Sequence, residues 1–200
     1  MIKANDARHI ARSLLKSELP RRWAHTKRVA RNARSLAQIL GDDAEVVETA
    51  AWLHDIGYAS SVASTAFHPV DGARYLRDAL GASPLVCQLV AHHTGASVEA
   101  EERGMAAVVE EFPTPPMNLL DAVTYCDLTA SVDGAKTTVD SRLAEIFIRY
   151  SPDHVVHQSI TRSAPTLLRS VYRVEARLAA SSVKVRVGGS LEIVVNPSPH

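Results

Sequence analysis

The chain has 200 residues, of which 46% are hydrophobic and 22% are charged, a composition ordinary for a globular protein of one domain. Its formal net charge is zero, which argues against a nucleic-acid partner, because nucleic-acid-binding domains are typically basic. No stretch is long and apolar enough to cross a membrane, and residues 1–6 have no signal-peptide pattern, so we expect a cytoplasmic protein without a membrane partner.

The charges are unevenly distributed along the chain. Residues 1–40 carry a net charge of +8, residues 41–127 a net charge of −11, and residues 128–200 a net charge of +3. An acidic middle is what a cation site needs, and a basic N-terminal part can attract an anionic substrate, although solvated helix faces produce the same pattern. The two cysteines, Cys87 and Cys126, lie in apolar helical patterns and form no disulfide framework, which is typical of a reduced compartment.

Two helices are predicted in the basic N-terminal part, over residues 6–18 and 21–40. The apolar stripe of the second helix comprises His25, Val29, Ala33, Leu36 and Leu40. His25 therefore faces the core, whereas the arginines of this helix, Arg22 among them, mostly take its outer face. A core histidine is usually only a hydrogen-bonded residue, so His25 alone indicates little.

The next helix is capped by Asp42 or Asp43 and ends in the sequence Trp52-Leu53-His54-Asp55-Ile56-Gly57. His54 continues the apolar stripe of this helix, and Gly57 is expected to be its C-cap. Asp55 lies at the helix C-terminus, where the helix dipole disfavours a carboxylate. A bound metal ion would offset this unfavourable interaction. The alternative interpretation of the pair is a core histidine beside an exposed aspartate.

More histidines follow at helix ends. A polar loop over residues 59–66 precedes a helix that is predicted to begin at Pro69. His68 is therefore expected to lie just before the N-terminus of that helix. Ser83-Pro84 opens another helix, which ends in His92 and His93, and both of these border its inner face. Residues 99–111 are predicted to form a short acidic helix or loop.

A strongly apolar helix over residues 117–132 carries Asp127 on its inner stripe, where a carboxylate must be paired, protonated or coordinated. Four helices thus direct potential nitrogen and oxygen ligands toward a common interior. These ligands are His25, His54, Asp55, one of His92 and His93, and Asp127. His68 lies at the start of a further helix. Such a set suits one or two divalent transition-metal ions, namely Fe, Mn, Co, Ni or Zn.

The C-terminal part is predicted to add helices and a hairpin. Asp140 is expected to cap one helix, and a second runs from Ser151-Pro152 to about residue 180, with a break or kink at Pro165. Alternating residues over 183–187 and 191–195 around a Gly-Gly-Ser turn predict a β-hairpin, which should lie against the helices or against a second copy of the chain in a homodimer. His154 and His157 are interpreted as structural or solvent-facing.

The order His25, then His54-Asp55, then Asp127, all on helices, resembles the HD-domain superfamily of metal-dependent phosphohydrolases. The similarity covers roughly residues 21–135, and His68 with the His92-His93 pair is similar to the extra histidines of its two-metal branch. The resemblance implies an all-α, HD-domain-like helical bundle, here with a short C-terminal β-hairpin. The predicted division is an HD-type core over 1–135, additional helices over 136–181 and a hairpin tail over 182–197.

The resemblance also implies roles for individual residues. One metal ion would be held by His25, His54, Asp55 and Asp127, and a second by His68, one of His92 and His93, and the bridging carboxylate of Asp55. The implied catalytic residues are Asp55, His68 and Asp127, and the implied reaction is attack of a metal-bound hydroxide on a small nucleotide or related phosphate ester. Arg142 and Arg149 lie on one helical face and are candidates to bind the substrate phosphate, although surface arginines at this spacing are commoner.

Two departures narrow the resemblance. Tyr58 stands where the cyclic-di-GMP phosphodiesterase branch has a lysine, and the Gly-Tyr-Pro motif of that branch is missing, which argues against a cyclic dinucleotide substrate. Two other interpretations stay open at this point. One is a metal-binding or nucleotide-sensing regulatory module without turnover, and the other is a di-iron oxygenase, since such enzymes also occur on this fold.

Overall fold

The computed structural model describes residues 2–182, which fold into helices joined by short connections. The eleven α-helices of this range are α1 (Ala4–Leu15), α2 (Pro20–Ser35), α3 (Ala37–Leu40), α4 (Ala44–Leu53), α5 (His68–Asp78), α6 (Pro84–His92), α7 (Ala96–Glu102), α8 (Ala106–Glu110), α9 (Met117–Leu128), α10 (Val139–Arg149) and α11 (Val155–Ser182). Within residues 2–182 the only β-type pairing is one isolated bridge, between Ala130 and Lys136. The all-α prediction is confirmed, while the predicted hairpin lies outside the described residues.

Helix α4 occupies the centre of the bundle. It packs against α1, α2, α6 and α9, and its residues Val47, Ala50, Ala51 and Leu53 have no exposed surface. A helix that is apolar on most of its faces is stable only when other helices surround it. Because α4 ends in His54 and Asp55, its central position brings these two polar side chains into the interior.

A second, smaller apolar cluster joins the C-terminal helices to the bundle. It lies between the end of α9 and the facing sides of α10 and α11, and consists of Leu128, Val139, Leu143, Ile146, Ile160, Leu167 and Val171. Helix α11 also packs along α7 and α9. This packing places α10 and α11 beside the C-terminal end of α9, which carries Asp127. Among residues 2–182, no helix has the length and hydropathy needed to cross a bilayer.

Several helices differ from the sequence predictions in where they begin, end or continue. The predicted helix over 21–40 is interrupted at Leu36, which separates α2 from α3. Helix α10 is capped by Thr138, whose hydroxyl accepts a hydrogen bond from the Ser141 N–H at 3.2 Å, and not by Asp140. Helix α11 starts at Val155 and is not broken by Pro165. A proline removes one backbone hydrogen bond, and the apolar face of α11 remains packed on both sides of it.

Gly57 has a different role from the one predicted. The C-cap of α4 is His54, and Gly57 lies in the short 3-10 turn Ile56–Tyr58 that follows. A Cβ atom on Gly57 would lie 2.0 Å from the carbonyl oxygen of His68 and 2.8 Å from the amide nitrogen of Gly72. Only glycine therefore lets this turn pack directly against the start of α5, and that contact brings Asp55 close to His68.

Asp71 anchors the loop that leads into His68. Its carboxylate is buried and accepts hydrogen bonds from the hydroxyls of Ser64 and Thr65 at 2.8 Å and from their N–H groups at 2.9 to 3.1 Å. Burial raises the pKa of Asp71, but these hydrogen bonds lower it by more, so the net pKa lies below its ordinary value. The Ser/Thr-rich stretch is thus tied to the first turn of α5.

Candidate metal centre

Six polar side chains converge where α2, α4, α5, α6 and α9 meet. They form two groups, in each of which the potential ligand atoms lie within 4.8 Å of one another: the first is His25, His54 and Asp127, and the second is Asp55, His68 and His93. Five of the six residues are buried, and His68 is partly exposed. Each of these residues was singled out by the sequence patterns, and the structure brings all six together.

Three of the histidines have the same hydrogen-bonding arrangement. The Nδ1 atom of His25 lies 3.0 Å from the Ser131 carbonyl oxygen, that of His54 lies 2.9 Å from the Ala51 oxygen, and that of His93 lies 2.7 Å from the Val90 oxygen. A carbonyl oxygen only accepts hydrogen bonds, so Nδ1 carries the proton in each ring. When such a ring is neutral, its Nε2 lone pair points into the centre, as it does in metal-ligating histidines.

The inward Nε2 atoms face other acceptors. His25 Nε2 lies 3.0 Å from Asp127 Oδ1, and His93 Nε2 lies 3.2 Å from His68 Nε2. His54 Nε2 is buried and has no hydrogen-bond partner among the described residues. Two ligand atoms about 2.1 Å from one ion are about 3.0 to 3.4 Å apart at octahedral or tetrahedral angles. These separations, and the unpartnered His54 nitrogen, fit divalent cations held by nitrogen and oxygen ligands.

Asp55 belongs to the second group but also faces the first. Its Oδ2 atom is 3.2 Å from His54 Nε2 and 3.9 Å from His25 Nε2, while its Oδ1 atom is 3.6 Å from His68 Nε2. The carboxylate thus presents one oxygen to each group. This is the arrangement that a carboxylate shared by two ions requires.

The electrostatics favour ionised carboxylates and, at His68 and His93, neutral imidazoles. At His54, burial lowers the pKa, but Asp55 and Asp127 together raise it by more. Burial raises the pKa of Asp55, but Arg22, His54 and His25 together lower it by more. Burial also raises the pKa of Asp127, but His25, His54 and Arg142 together lower it by more, so both net pKa values lie below the ordinary range. Burial lowers the pKa of His68 and of His93, with a further decrease from His93 on His68 and from His54 on His93. Ionised carboxylates and neutral imidazoles are the forms in which these side chains ligate metals.

His92 lies outside both groups, which corrects its inclusion among the predicted ligands. Its Nε2–H donates to the Phe112 carbonyl oxygen at 2.7 Å, and its Nδ1 accepts from the Ser97 hydroxyl at 3.2 Å, so both ring nitrogens are used. The helical geometry of α6 ends at His92, and the extended backbone of His93 (ψ 148°) turns the two neighbouring side chains in different directions. His154 and His157 also lie outside the two groups.

Arg22 is a member of the centre that the sequence interpretation missed. It was assigned to the outer face of its helix, yet its Nη1 donates to Asp55 Oδ2 at 3.0 Å. Burial lowers the pKa of Arg22, but Asp55 and Tyr58 raise it by more, so the guanidinium is charged. The available signal was spacing, because Arg22 precedes His25 by three residues and therefore shares its helix face.

Thr94 is a second residue that the sequence did not identify. Its hydroxyl donates to Asp127 Oδ2 at 2.6 Å, which leaves Oδ1 of that carboxylate facing His25. Its backbone is left-handed (φ 48°, ψ 45°), a conformation that costs a non-glycine residue roughly 1–3 kcal/mol and is an outlier for a β-branched one. Strain of this kind persists where the surrounding structure holds a residue in place, here between the metal-centre residue His93 and Gly95.

Thr94→Val is expected to weaken metal binding by about 10–100-fold, the usual effect of losing a hydrogen bond that orients a ligand. Valine keeps the β-branched shape but cannot hold the free oxygen of Asp127. Thr94→Ser keeps the hydroxyl and should bind Mn²⁺ like the wild type in calorimetric titration. The control is Thr49→Val, which removes a buried hydroxyl bonded to Glu45 within α4. Equal Mn²⁺ affinities for Thr94→Val and the wild type would contradict this role.

The centre opens into a pocket that is partly open to solvent. Asp55, His68, His93 and Asp127 lie at its base. Its walls include three arginines and two tyrosines: Arg22, Arg142, Arg149, Tyr58 and Tyr150. The predicted substrate-binding residues of α10 and four of the six residues of the centre thus line one cavity.

The helical fold and the His/Asp centre agree with the comparison of the sequence with known protein families. A family model described as HD domain matches residues 22–130, more than half of the chain. The chain belongs to the HD-domain family. All six residues of the centre lie inside the matched segment of the HD domain, whereas α10 and α11, with Arg142, Arg149 and Tyr150, lie outside it. HD domains bind divalent metals and are generally metal-dependent phosphohydrolases. Comparison of the chain with curated protein sequences and with solved structures gave no significant match.

Proposed function

We propose that this HD-domain protein is a metal-dependent phosphohydrolase whose substrate is a small nucleotide or a related phosphate ester. The observation that carries the proposal is the shared pocket, which is lined by four of the six candidate ligands and by three arginines and two tyrosines. His25, His54 and Asp127 would hold one ion, Asp55, His68 and His93 the other, with Asp55 reaching both. Ions bound there supply charge to the phosphoryl oxygens and lower the pKa of water enough to provide hydroxide near neutral pH.

The arginines would bind the substrate phosphate. Arg142 and Arg149 both contact the carboxylate of Glu145, one turn away on α10, which holds the two guanidinium groups beside each other. The Nε atom of Arg142 is buried and has no hydrogen-bond partner among the described residues. A planar guanidinium binds phosphate oxygens through two parallel hydrogen bonds, so this pair suits a phosphorylated ligand better than a neutral one.

The remaining walls suit an apolar or planar leaving group. Ile146, Val156 and Ile160 form an aliphatic surface, and the Tyr150 ring lies beside it. A nucleoside has a planar base that packs on such a surface and a phosphate that requires cations. Arg22 is occupied by Asp55, so its part would be to keep that carboxylate oriented and not to bind substrate.

The test is a phosphate-release screen on protein loaded with Mn²⁺, Fe²⁺, Co²⁺, Ni²⁺ or Zn²⁺. It should include mononucleotides, dinucleoside polyphosphates and cyclic dinucleotides, with anaerobic purification and iron spectroscopy alongside. Metal-dependent release of phosphate from a nucleotide-like ester is the expected result. No release from any substrate, in protein shown to hold its metal, would overturn the proposal. An oxygen-dependent mixed-valence iron signal in that protein would favour an oxygenase, and its absence a sensor.

Arg149→Ala is expected to raise the KM for the substrate by about tenfold or more while leaving kcat within a few-fold of wild type, since a charge-assisted hydrogen bond contributes about 1.5–3 kcal/mol. Arg149→Lys keeps the charge and should recover part of the loss. The matched control is Arg162→Ala, an exposed arginine of α11 that pairs with Glu101 and Glu102 and does not line the pocket. An unchanged KM for Arg149→Ala would remove this residue from the substrate site.

A further inference from the structure

Tyr58 is packed between the side chains of His68 and Arg22. Its ring stacks on the His68 imidazole, with ring centroids 3.9 Å apart and an interplanar angle of 18°. The guanidinium carbon of Arg22 lies 3.8 Å from the centroid of the same ring. Two planar groups at these distances must occupy opposite faces, so Tyr58 is the middle layer of a three-layer stack.

His68 differs from the other histidines of the centre in how its ring is held. His25, His54 and His93 each donate Nδ1–H to a backbone carbonyl oxygen, which fixes the plane of the ring. For His68, the hydrogen-bonding contact among the described residues is through Nε2, to His93. The nitrogen that should ligate an ion is therefore the one in that contact, and no carbonyl oxygen of residues 2–182 orients the ring through Nδ1.

The stack closes a ring of contacts around the second group. Arg22 donates to Asp55 Oδ2 at 3.0 Å, Asp55 Oδ1 faces His68 Nε2 at 3.6 Å, and Tyr58 joins His68 to Arg22. Gly57 places Tyr58 in this position, because its close packing against the start of α5 fixes the turn beside His68. The position of Tyr58 therefore affects both a histidine and a carboxylate of the same group.

We propose that Tyr58 is the positioning residue of the Asp55–His68–His93 group. Its ring fixes the plane of the His68 imidazole, the task that a backbone carbonyl oxygen performs for the other three histidines, and it keeps Arg22 against Asp55. This inference rests on the proposed two-ion function, but it concerns ion binding and not turnover. Loss of the ring lowers the affinity for the ion that His68 holds. The affinity for the ion at His25, His54 and Asp127 stays unchanged.

The experiment titrates metal-free protein with Mn²⁺ by calorimetry and measures bound manganese after gel filtration. Tyr58→Leu and Tyr58→Met remove the ring, Tyr58→Phe retains it, and His68→Ala identifies which binding step belongs to His68. Tyr58 is 39% exposed, so the ring-removing variants should keep the helical fold, which circular dichroism checks. Tyr172→Leu, at a tyrosine of α11 that is 52% exposed, is the matched control.

We expect Tyr58→Leu and Tyr58→Met to weaken the His68-dependent step by about 10–100-fold and to leave the other step unchanged. Tyr58→Phe and Tyr172→Leu should titrate like the wild type. Unchanged binding in Tyr58→Leu, equal weakening of both steps, or a wild-type protein without a His68-dependent step would each overturn the proposal. The two proposals can fail separately. If the Tyr58 variants show the selective weakening but the metal-loaded wild type releases no phosphate from any substrate, the proposed function is overturned and this inference stands.

Discussion

Asp55→Asn is expected to lower the rate of phosphate release by more than about 100-fold. Loss of a residue that only orients a metal ligand typically costs 10–100-fold in metal affinity or activity, and Asp55 faces both ligand groups directly. Asparagine has nearly the same shape, so the helix end and the packing of Gly57 should be preserved. The measurement is kcat/KM for the best substrate of the screen, together with the number of Mn²⁺ ions bound per chain.

The matched control for Asp55 is Asp121→Asn. Asp121 is as buried as the residues of the centre, but it lies away from them on α9 and forms hydrogen bonds with Arg173 of α11 at 2.6 Å. Its replacement should lower the free energy of unfolding and leave kcat/KM close to that of the wild type. Asp55→Asn with full activity, or Asp121→Asn with an equal loss of activity, would contradict the assignment of Asp55 to the reaction.

The residues on regular apolar stripes were the ones that the sequence located well. His25 and Asp127 each interrupt a helical pattern of apolar residues, and a polar side chain at such a position has to face the core. His54 continues the stripe of an apolar helix, so its burial also follows from periodicity, whereas the pattern left an exposed Asp55 open as an alternative. The all-helical fold could be predicted for the same reason, since almost every element has its own 3.6-residue pattern.

The residues that the sequence did not locate depend on geometry at helix ends and turns. The choice between His92 and His93 depends on where α6 stops, and a boundary is the least certain part of a periodic pattern. Thr94 lies beside Asp127 with a left-handed backbone, a conformation that a threonine in the sequence does not signal. Gly57 was interpreted as a helix cap, and its actual constraint, the nearby backbone of α5, is a contact between segments distant in sequence.

Arg22 and Tyr58 show a further limit of periodicity. A helix pattern assigns an arginine to the solvent face, but a long side chain extends along the surface of the helix toward a neighbouring carboxylate. The contact of Arg22 with Asp55 joins residues 33 positions apart and depends on the packing of α2 against α4. Tyr58 was noted for what it replaces in a related branch, and its function became apparent only from the ring that stacks on His68.

Removal of metal is expected to lower the melting temperature by about 10 °C relative to protein with Mn²⁺ at roughly 1,000 times its dissociation constant. At that concentration, binding to the folded state alone contributes about 4.1 kcal/mol, and a chain of this size changes its melting temperature by about 2–4 °C per kcal/mol. The physical source is the set of unpaired acceptors in the centre. Without a cation, His54 Nε2 lies buried 3.2 Å from Asp55 Oδ2 without a hydrogen bond, and His25 Nε2 faces a carboxylate oxygen at 3.0 Å.

The controls separate binding at this centre from a general effect of divalent ions. His154→Ala should retain the full Mn²⁺-dependent shift, because the Nδ1 atom of His154 accepts a hydrogen bond from the Val156 N–H and the residue lies outside both ligand groups. Asp127→Asn should lose the part of the shift that comes from the first ion and keep the part that comes from the second, because it removes the only carboxylate of the first group. The measurement is a thermal melt followed by circular dichroism, with EDTA and with excess Mn²⁺. Identical melting temperatures in the two conditions for the wild type would mean that these six side chains do not hold a metal ion, because a cation bound among buried ligands of the folded state alone must raise its stability.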